Sequence, residues 1–206
     1  MTGFFSEVLG KHDRADFASG NERIDSYFRQ TVSQDVKRGY AACYVLVDKA
    51  SERIAGFYTL SSHSIPLTEL PTDVARKLPR YPSVPAVLIG WLGRDASFRG
   101  QHVGSMLLAD AIMRLAAAPV GIHAICADAI DDAAATFYRE HQFLPFVSRP
   151  NGRYLPMKTA LTLVSQSAGR TPQTRRSACR HSAAAAPASR ALAFCSKGST
   201  ASARRT

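Results

Sequence analysis

An apolar strand, a glycine-containing turn and an amphipathic helix follow one another between Val84 and Leu115, and a second apolar strand follows at Ile122–Asp128. This order constrains the fold more than any other stretch. Val84–Leu92 is a continuous apolar run with Pro85 near its start and Gly90 inside it. Met106, Leu107, Leu108, Ala111, Ile112 and Leu115 recur at helical spacing. Between them lies Phe98-Arg99-Gly100-Gln101-His102-Val103-Gly104. A turn that opens a helix leaves several backbone N–H groups unpaired and aimed one way. The helix dipole adds partial positive charge at the same point. Such a turn suits a pyrophosphate or similar anion, with Arg99 adding a full charge at its mouth; a plain connection is the other reading. No Gly-Lys-Ser/Thr follows, so it is not a P-loop, and the three-glycine dinucleotide spacing is missing.

The remaining segments complete a mixed α/β sheet. Ser19-Gly20-Asn21-Glu22 has capping-box spacing and predicts a helix to about Lys37, striped by Ile24, Phe28, Val32 and Val36 and ended by Gly39. Tyr40–Asp48 and Arg53–Ser61 read as antiparallel strands around the turn Lys49–Glu52. Leu67–Leu78 reads as a short helix, broken or begun at Pro71. Asp131–Gln142 reads as a helix after the Ile122–Asp128 strand. Phe143–Ser148 and Arg153–Leu163 read as a closing hairpin around Pro150-Asn151-Gly152.

Arg99-Gly100-Gln101-His102-Val103-Gly104 resembles the pyrophosphate loop of the GNAT superfamily of acetyl-CoA-dependent N-acetyltransferases, Gln/Arg-x-x-Gly-x-Gly/Ala. Ala135-Thr136-Phe137-Tyr138-Arg139-Glu140-His141-Gln142-Phe143 resembles its helix ending Phe-Tyr-x-x-x-Gly-Phe. Two residues depart from the pattern: His102 stands for the middle glycine, and Gln142 for the glycine before Phe143. Ile54–Ser61, Leu78–Pro85 and Asp128-Ala129 look like the toxin branch, the TacT/AtaT-like toxins of bacterial toxin–antitoxin operons. The likeness runs from about Phe17 to about Val164. It implies the acyl-CoA N-acyltransferase fold: a central mixed sheet flanked by helices, with two parallel strands, Val84–Leu92 and Ile122–Asp128, splayed around the pantetheine of acetyl-CoA. It implies cofactor contacts from Arg99, Gly100, Gln101, His102, Val103, Gly104 and Ser105. Backbone N–H groups near Leu92 and Arg94 would polarise the thioester carbonyl.

Tyr138 is the candidate catalytic residue. Phe137 and Tyr138 differ by about 100° around a helix, so one can enter the core while the other faces the cleft. A phenol with a reference pKa of about 10 stays protonated at pH 7 and can donate to a departing thiolate. The competing reading is a core tyrosine bonded to backbone. No strong general base is visible. His123 and His141 read as structural, while His63 and His102 stay open. An α-amino group, with a pKa of about 8 or less, keeps a usable neutral fraction near pH 7, whereas lysine at about 10.4 needs more help. The toxin resemblance implies the α-amino group of aminoacyl-tRNA as acceptor. Arg76, Lys77, Arg80 and Arg94 are then the candidate tRNA contacts. It also implies a ribbon-helix-helix antitoxin and a homodimer. A GNAT acting on a protein N-terminus or small amine, and a degenerate module that only binds CoA or a partner, remain alternatives.

Charge adds one distinction. The net charge of +10 is concentrated after Val164, where seven arginines and one lysine meet no acid; before it stand 18 basic and 16 acidic residues. Residues 1–164 therefore read as the GNAT domain, and 165–206, rich in Ala, Ser and Arg, as a disordered tail or a read-through of a shifted frame. Cys43 and Cys126 lie in apolar strands, and no cysteines sit at ligand spacing, so neither a disulfide framework nor a metal site is expected. No apolar run reaches about 18 residues and no signal peptide is visible, so a cytoplasmic protein without a membrane span is expected.

Overall fold

The computed structural model describes residues 3–168. Of the expected tail, 165–206, residues 165–168 end a helix, and the rest lies outside the described residues. Seven strands form one sheet in the order β1-β2-β3-β4-β5-β7-β6. β1 (Phe4–Val8), β2 (Ala42–Asp48), β3 (Ile54–Pro66) and β4 (Ser83–Arg94) are antiparallel neighbours. β5 (Ala124–Asp128) runs parallel to β4. β7 (Gly152–Pro156) pairs antiparallel with β5 and carries the short β6 (Leu144–Pro145) at its outer side. The mixed α/β sheet is as the sequence predicts.

Alternation along the strands sends side chains to two helical layers. In β5, Ala124 and Cys126 face one layer while Ile125 and Ala127 face the other. The first layer holds α1 (Glu22–Ser26), a π-helical turn (Tyr27–Thr31), α2 (Val32–Lys37) and α3 (Thr72–Ala75). There Phe28 and Val32 are fully buried against Phe17, Val45 and Phe57. The second holds α4 (Val103–Ala117), α5 (Asp132–Glu140) and α6 (Met157–Ala168). Leu107 and Ala111 of α4 pack on Tyr58, and Leu108 and Ile112 on Ile89 and Ile125. Cys43 and Cys126 are buried and reduced.

Several elements differ from the sequence reading. The expected hairpin strand Arg153–Leu163 stops at Pro156, and Met157–Ala168 is a helix. β5 offers no partner past Pro156, which pairs with the first residue of β5. Met157, Ala160, Leu163 and Val164 then fall at helical spacing against the core. The predicted helix at 19–37 is interrupted by the π turn, and its N-cap is Asn21 rather than Ser19, because the Asn21 side chain accepts from the Arg23 N–H. Ser19 instead donates its hydroxyl to Asp25. Leu67–Leu78 divides at Pro71 into a 3-10 turn (Leu67–Glu69) and the single-turn α3. β1 has no counterpart in the sequence reading. Its register on β2, Phe4 opposite Asp48 through Val8 opposite Tyr44, forms through contacts about 40 residues away in the chain.

Candidate active site

β4 and β5 pair only from Ala86 opposite Ala124 to Ile89 opposite Ala127. Beyond that point β4 continues to Arg94 while β5 ends at Asp128. The strands separate here, at a bulge in β4. Tyr58 of β3 faces Leu92 and Leu60 faces Ile89, so Thr59 alone opposes both Gly90 and Trp91. The buried Thr59 hydroxyl satisfies the Trp91 N–H at the bulge, accepting it at 3.0 Å. Past the bulge, Asp95 N–H bonds the Ala55 carbonyl at 2.9 Å. That bond sets the phase of the antiparallel ladder: Gly93 and Asp95 turn their backbone groups toward β3, and Leu92 and Arg94 turn theirs away. The N–H groups of Leu92 and Arg94 therefore face the gap left by β5.

An open cleft of about 530 Å³ runs through this gap. Gly90–Leu92 form one wall and Asp128–Ile130 the other. Ala134 and Tyr138 of α5 close it on one side of the sheet, Arg23 and Ile24 of α1 on the other, and Ser148–Gly152 form a rim. The cleft thus joins the two helical layers through the sheet.

Tyr138 is 6% exposed and its ring packs on Phe137 and Phe143, at centroid distances of 5.4 and 5.0 Å. Its hydroxyl has no hydrogen-bond partner among the described residues, so the backbone-bonded reading does not apply. Burial, reinforced by the nearby Asp128 charge, pushes the phenol pKa up, so the group stays protonated at neutral pH. Phe137 turns instead to the start of α4, where its ring covers Gly104.

The turn before α4 is built as a cradle. Asp95 caps a 3-10 turn (Ala96–Phe98) by accepting from Ser97 N–H, and its second oxygen accepts from Ala18 N–H at 3.0 Å. Burial opposes ionisation of Asp95, but these bonds and the Ser97 hydroxyl hold its carboxyl below the usual range. After the turn, the N–H groups of Gly100, His102, Val103, Gly104 and Ser105 have no acceptor among the described residues, while Met106 N–H begins the helix on His102 C=O. Arg99, Gly100, Gln101 and His102 are exposed, and Val103 is buried. His102 has φ 56° and Gln142 has φ 63°. Both departures from the glycine pattern therefore adopt the left-handed backbone that glycine favours. Unpaired N–H groups at a helix start fit a pyrophosphate.

His141 links the two helices. Its Nδ1 lies 2.8 Å from the Phe137 carbonyl, which can only accept, so Nδ1 carries a proton. Its Nε2 meets the Ser105 hydroxyl at 3.0 Å. The structural reading of His141 fits this position. His123 contributes backbone, accepting from Met157 N–H and donating to Pro85 C=O.

The structure divides the basic set. Arg76, Lys77 and Arg80 are exposed beyond the start of β4, whereas Arg94, half-buried, ends that strand. At ~3.3 Å per residue, the twelve residues of β4 span roughly 35 Å, with Arg80 shortly before one end and Arg94 at the other. The sequence reading missed Arg23, Asp128 and Arg149 as cleft residues, because they come from three separated segments without a shared motif. Arg149 sits 3.0 Å from Glu69 and 3.8 Å from Asp128, with its guanidinium over Phe146. The Glu69 contact is one of charge, since neither atom has an aligned hydrogen bond.

No family model matches the chain. Individual proteins do. A protein described as probable toxin TacT, from Sinorhizobium fredii (strain NBRC 101917 / NGR234), is 32% identical over 163 residues, covering 75% of this chain and 90% of that protein. A tRNA-acetylating toxin of Mycobacterium tuberculosis (strain ATCC 25618 / H37Rv) is 34% identical over 168 residues, covering 80% and 99%. Among solved structures, a tyrosine-to-phenylalanine mutant of KacT superposes with a TM-score of 0.72 at 26% identity, covering 78% of this chain and 98% of that one. AtaT complexed with acetyl-methionyl-tRNAfMet gives a TM-score of 0.71 at 28% identity, covering 78% and 99%. A mutant AtaT bound to the C-terminus of the antitoxin AtaR and acetyl-CoA gives 0.66 at 25% identity, covering 79% and 99%. The fold, the splayed strands and these likenesses agree: the chain belongs to the TacT/AtaT-like family of GNAT acetyltransferase toxins.

Proposed function

We propose that the protein is an acetyl-CoA-dependent N-acetyltransferase that acetylates the α-amino group of aminoacyl-tRNA and so blocks translation. The observation that supports this reading is the cleft through the splayed sheet, lined by Leu92 and by Tyr138, whose hydroxyl is unpaired among the described residues, with the Arg94 N–H turned toward the same gap past the end of the β4–β5 pairing. Acetyl-CoA supplies the acetyl group as an activated thioester. The N–H groups from Gly100 to Ser105, with Arg99, hold its pyrophosphate at the start of α4. The Leu92 and Arg94 N–H groups stabilise negative charge on the carbonyl oxygen during attack. The amine enters from the α1 side and attacks directly. As the C–S bond breaks, Tyr138 gives its proton to the leaving thiolate, and the proton lost by the attacking nitrogen passes to solvent, which reprotonates the phenol. An α-amino group suits a cleft without a strong base, because about a tenth or more of it is neutral at pH 7, against less than about a thousandth of a lysine side chain.

Arg76, Lys77 and Arg80 serve as phosphate contacts for the tRNA, and Arg94 as a separate one. The segment bearing the first three is tied to the cleft rim by the Glu69–Arg149 contact. A solved relative, AtaT, is bound to the C-terminus of its antitoxin AtaR. The reading extends this to a ribbon-helix-helix antitoxin and a homodimeric enzyme. No described helix is long and apolar enough to cross a membrane.

The test is labelled acetyl transfer from acetyl-CoA to bulk charged tRNA by the full chain, beside Tyr138→Phe. Label on the aminoacyl group that falls strongly in the mutant supports the reading. Acetyl-CoA binding without label on any aminoacyl-tRNA overturns the substrate. Charge reversal at Arg76, Lys77 and Arg80 should weaken tRNA acetylation and flatten its salt dependence without changing acetyl-CoA affinity.

A further inference from the structure

Trp91 lies where two local irregularities meet. The bulge in β4 inserts one residue between Ile89 and Leu92. Without it, Trp91 would share the sheet face of Ile89, against α4. With it, Trp91 packs among the residues of the α1–α2 layer. On the facing helix, the π turn places Tyr27 against it: the Val32 N–H reaches back to the Tyr27 carbonyl, one residue further than in an α-helix. The Tyr27 hydroxyl is pinned to Asp35 at 3.0 Å. The two rings stack with centroids 4.2 Å apart and an interplanar angle of 11°.

This pair is more than core packing. Trp91 is half-buried and lines both the catalytic cleft and a neighbouring hollow of about 470 Å³. Arg23 lines both as well. The indole Nε1–H has no acceptor and the Arg23 guanidinium no carboxylate among the described residues. The result is an aromatic plate backed by a second ring, with an unpaired N–H donor and an unpaired cation beside it, at the amine end of the cleft.

We propose that Trp91, backed by Tyr27 and flanked by Arg23, is the stacking platform for the terminal nucleobase of the acceptor, the base of the nucleotide that carries the aminoacyl ester. The inference rests on aminoacyl-tRNA being the substrate. Unpaired bases at a single-stranded end stack readily on aromatic faces, and the adjoining phosphates meet arginine. The platform seats the nucleoside on the α1 side, and the amino group it carries reaches the splay beside Leu92 and Tyr138. It also gives the enzyme a way to recognise the RNA end independently of the amino acid.

Trp91 is the single tryptophan of the chain, so its emission reports on its own surface. The probe is an amino acid joined by an amide to 3′-amino-3′-deoxyadenosine, titrated into full-length protein saturated with coenzyme A. Saturable quenching of the tryptophan emission is expected, and the methyl amide of the same amino acid should leave it unchanged. Trp91→Ala should raise KM for aminoacyl-tRNA about tenfold or more with acetyl-CoA affinity retained, and should lower the melting temperature through loss of the Tyr27 stack, so Trp91→Phe separates binding from stability. Trp91→Phe should keep KM within about threefold. If aminoacyl-tRNA is acetylated but the nucleoside does not quench, the platform is wrong and the substrate stands. If the methyl amide quenches equally, Trp91 contacts the amino acid and the platform is wrong. If the nucleoside quenches but no aminoacyl-tRNA is acetylated, Trp91 binds an adenine nucleoside, and both the proposed substrate and the platform's role toward its terminal base fall.

Discussion

A Cβ atom at Gly104 would lie 3.2 Å from Cε2 of Phe137. The first turn of α4 thus approaches α5 so closely that only glycine fits without displacing the ring. Phe137 adjoins Tyr138, so the contact ties the cofactor cradle to the proton donor. Gly104→Ala should weaken acetyl-CoA binding and lower kcat together by several-fold, through movement of α5 rather than loss of any charged contact. Calorimetric titration with coenzyme A and steady-state kinetics test this; a variant with unchanged kcat would show that the Phe137 ring moves aside freely.

Removal of the Tyr138 hydroxyl should separate catalysis from stability. The ring packs, but the oxygen bonds nothing among the described residues. Tyr138→Phe should therefore lower kcat about 100-fold or more, the range of a lost general acid. Unfolding free energy should change by less than about 0.5 kcal/mol. Because burial raises the phenol pKa, activity should show no fall from Tyr138 ionisation as pH rises from 7 to 10.

His102 and Gln142 hold left-handed backbone at φ 56° and 63°. A non-glycine residue there costs roughly 1 kcal/mol, part of which glycine would return as added entropy of the unfolded chain. His102→Gly and Gln142→Gly should each stabilise the fold by about 0.5 kcal/mol, read by chemical denaturation. The exposed His102 side chain is not needed for the N–H cradle, so His102→Gly should bind acetyl-CoA at least as tightly as the parent. His102→Val, which places a β-branched residue at positive φ, should be less stable and bind more weakly.

Burial pushes the Cys43 and Cys126 thiols from 9.0 to about 12. A raised native pKa means the folded state keeps protons that the unfolded chain releases. The associated stability is complete below pH 9 and is lost as pH rises toward 12. Each thiol should contribute a slope approaching about 1.4 kcal/mol per pH unit in that window. Unfolding measured from pH 8 to 11 should steepen above 9, and Cys43→Ala with Cys126→Ala should flatten that part of the curve.

The chain by itself determined the central strands, the turn and helix that follow, and Tyr138 as the residue to test, because each is written in a local signal: an apolar run, a helical period, a short ordered motif. Asp131 capping α5 through the Ala134 N–H belongs to the same class. Tertiary structure decided what local signals cannot carry. β1 exists only because β2 offers its edge, and Met157–Ala168 is a helix because β5, which begins opposite Pro156, offers no partner beyond it. The π turn and the β4 bulge brought Tyr27 and Trp91 together across more than sixty residues of chain. Arg80 precedes one end of β4 and Arg94 closes the other, a placement that charge spacing in the sequence does not carry. Propensity and spacing act over a few residues, whereas a sheet edge, a splay or a stacked pair depends on which distant segments share a face.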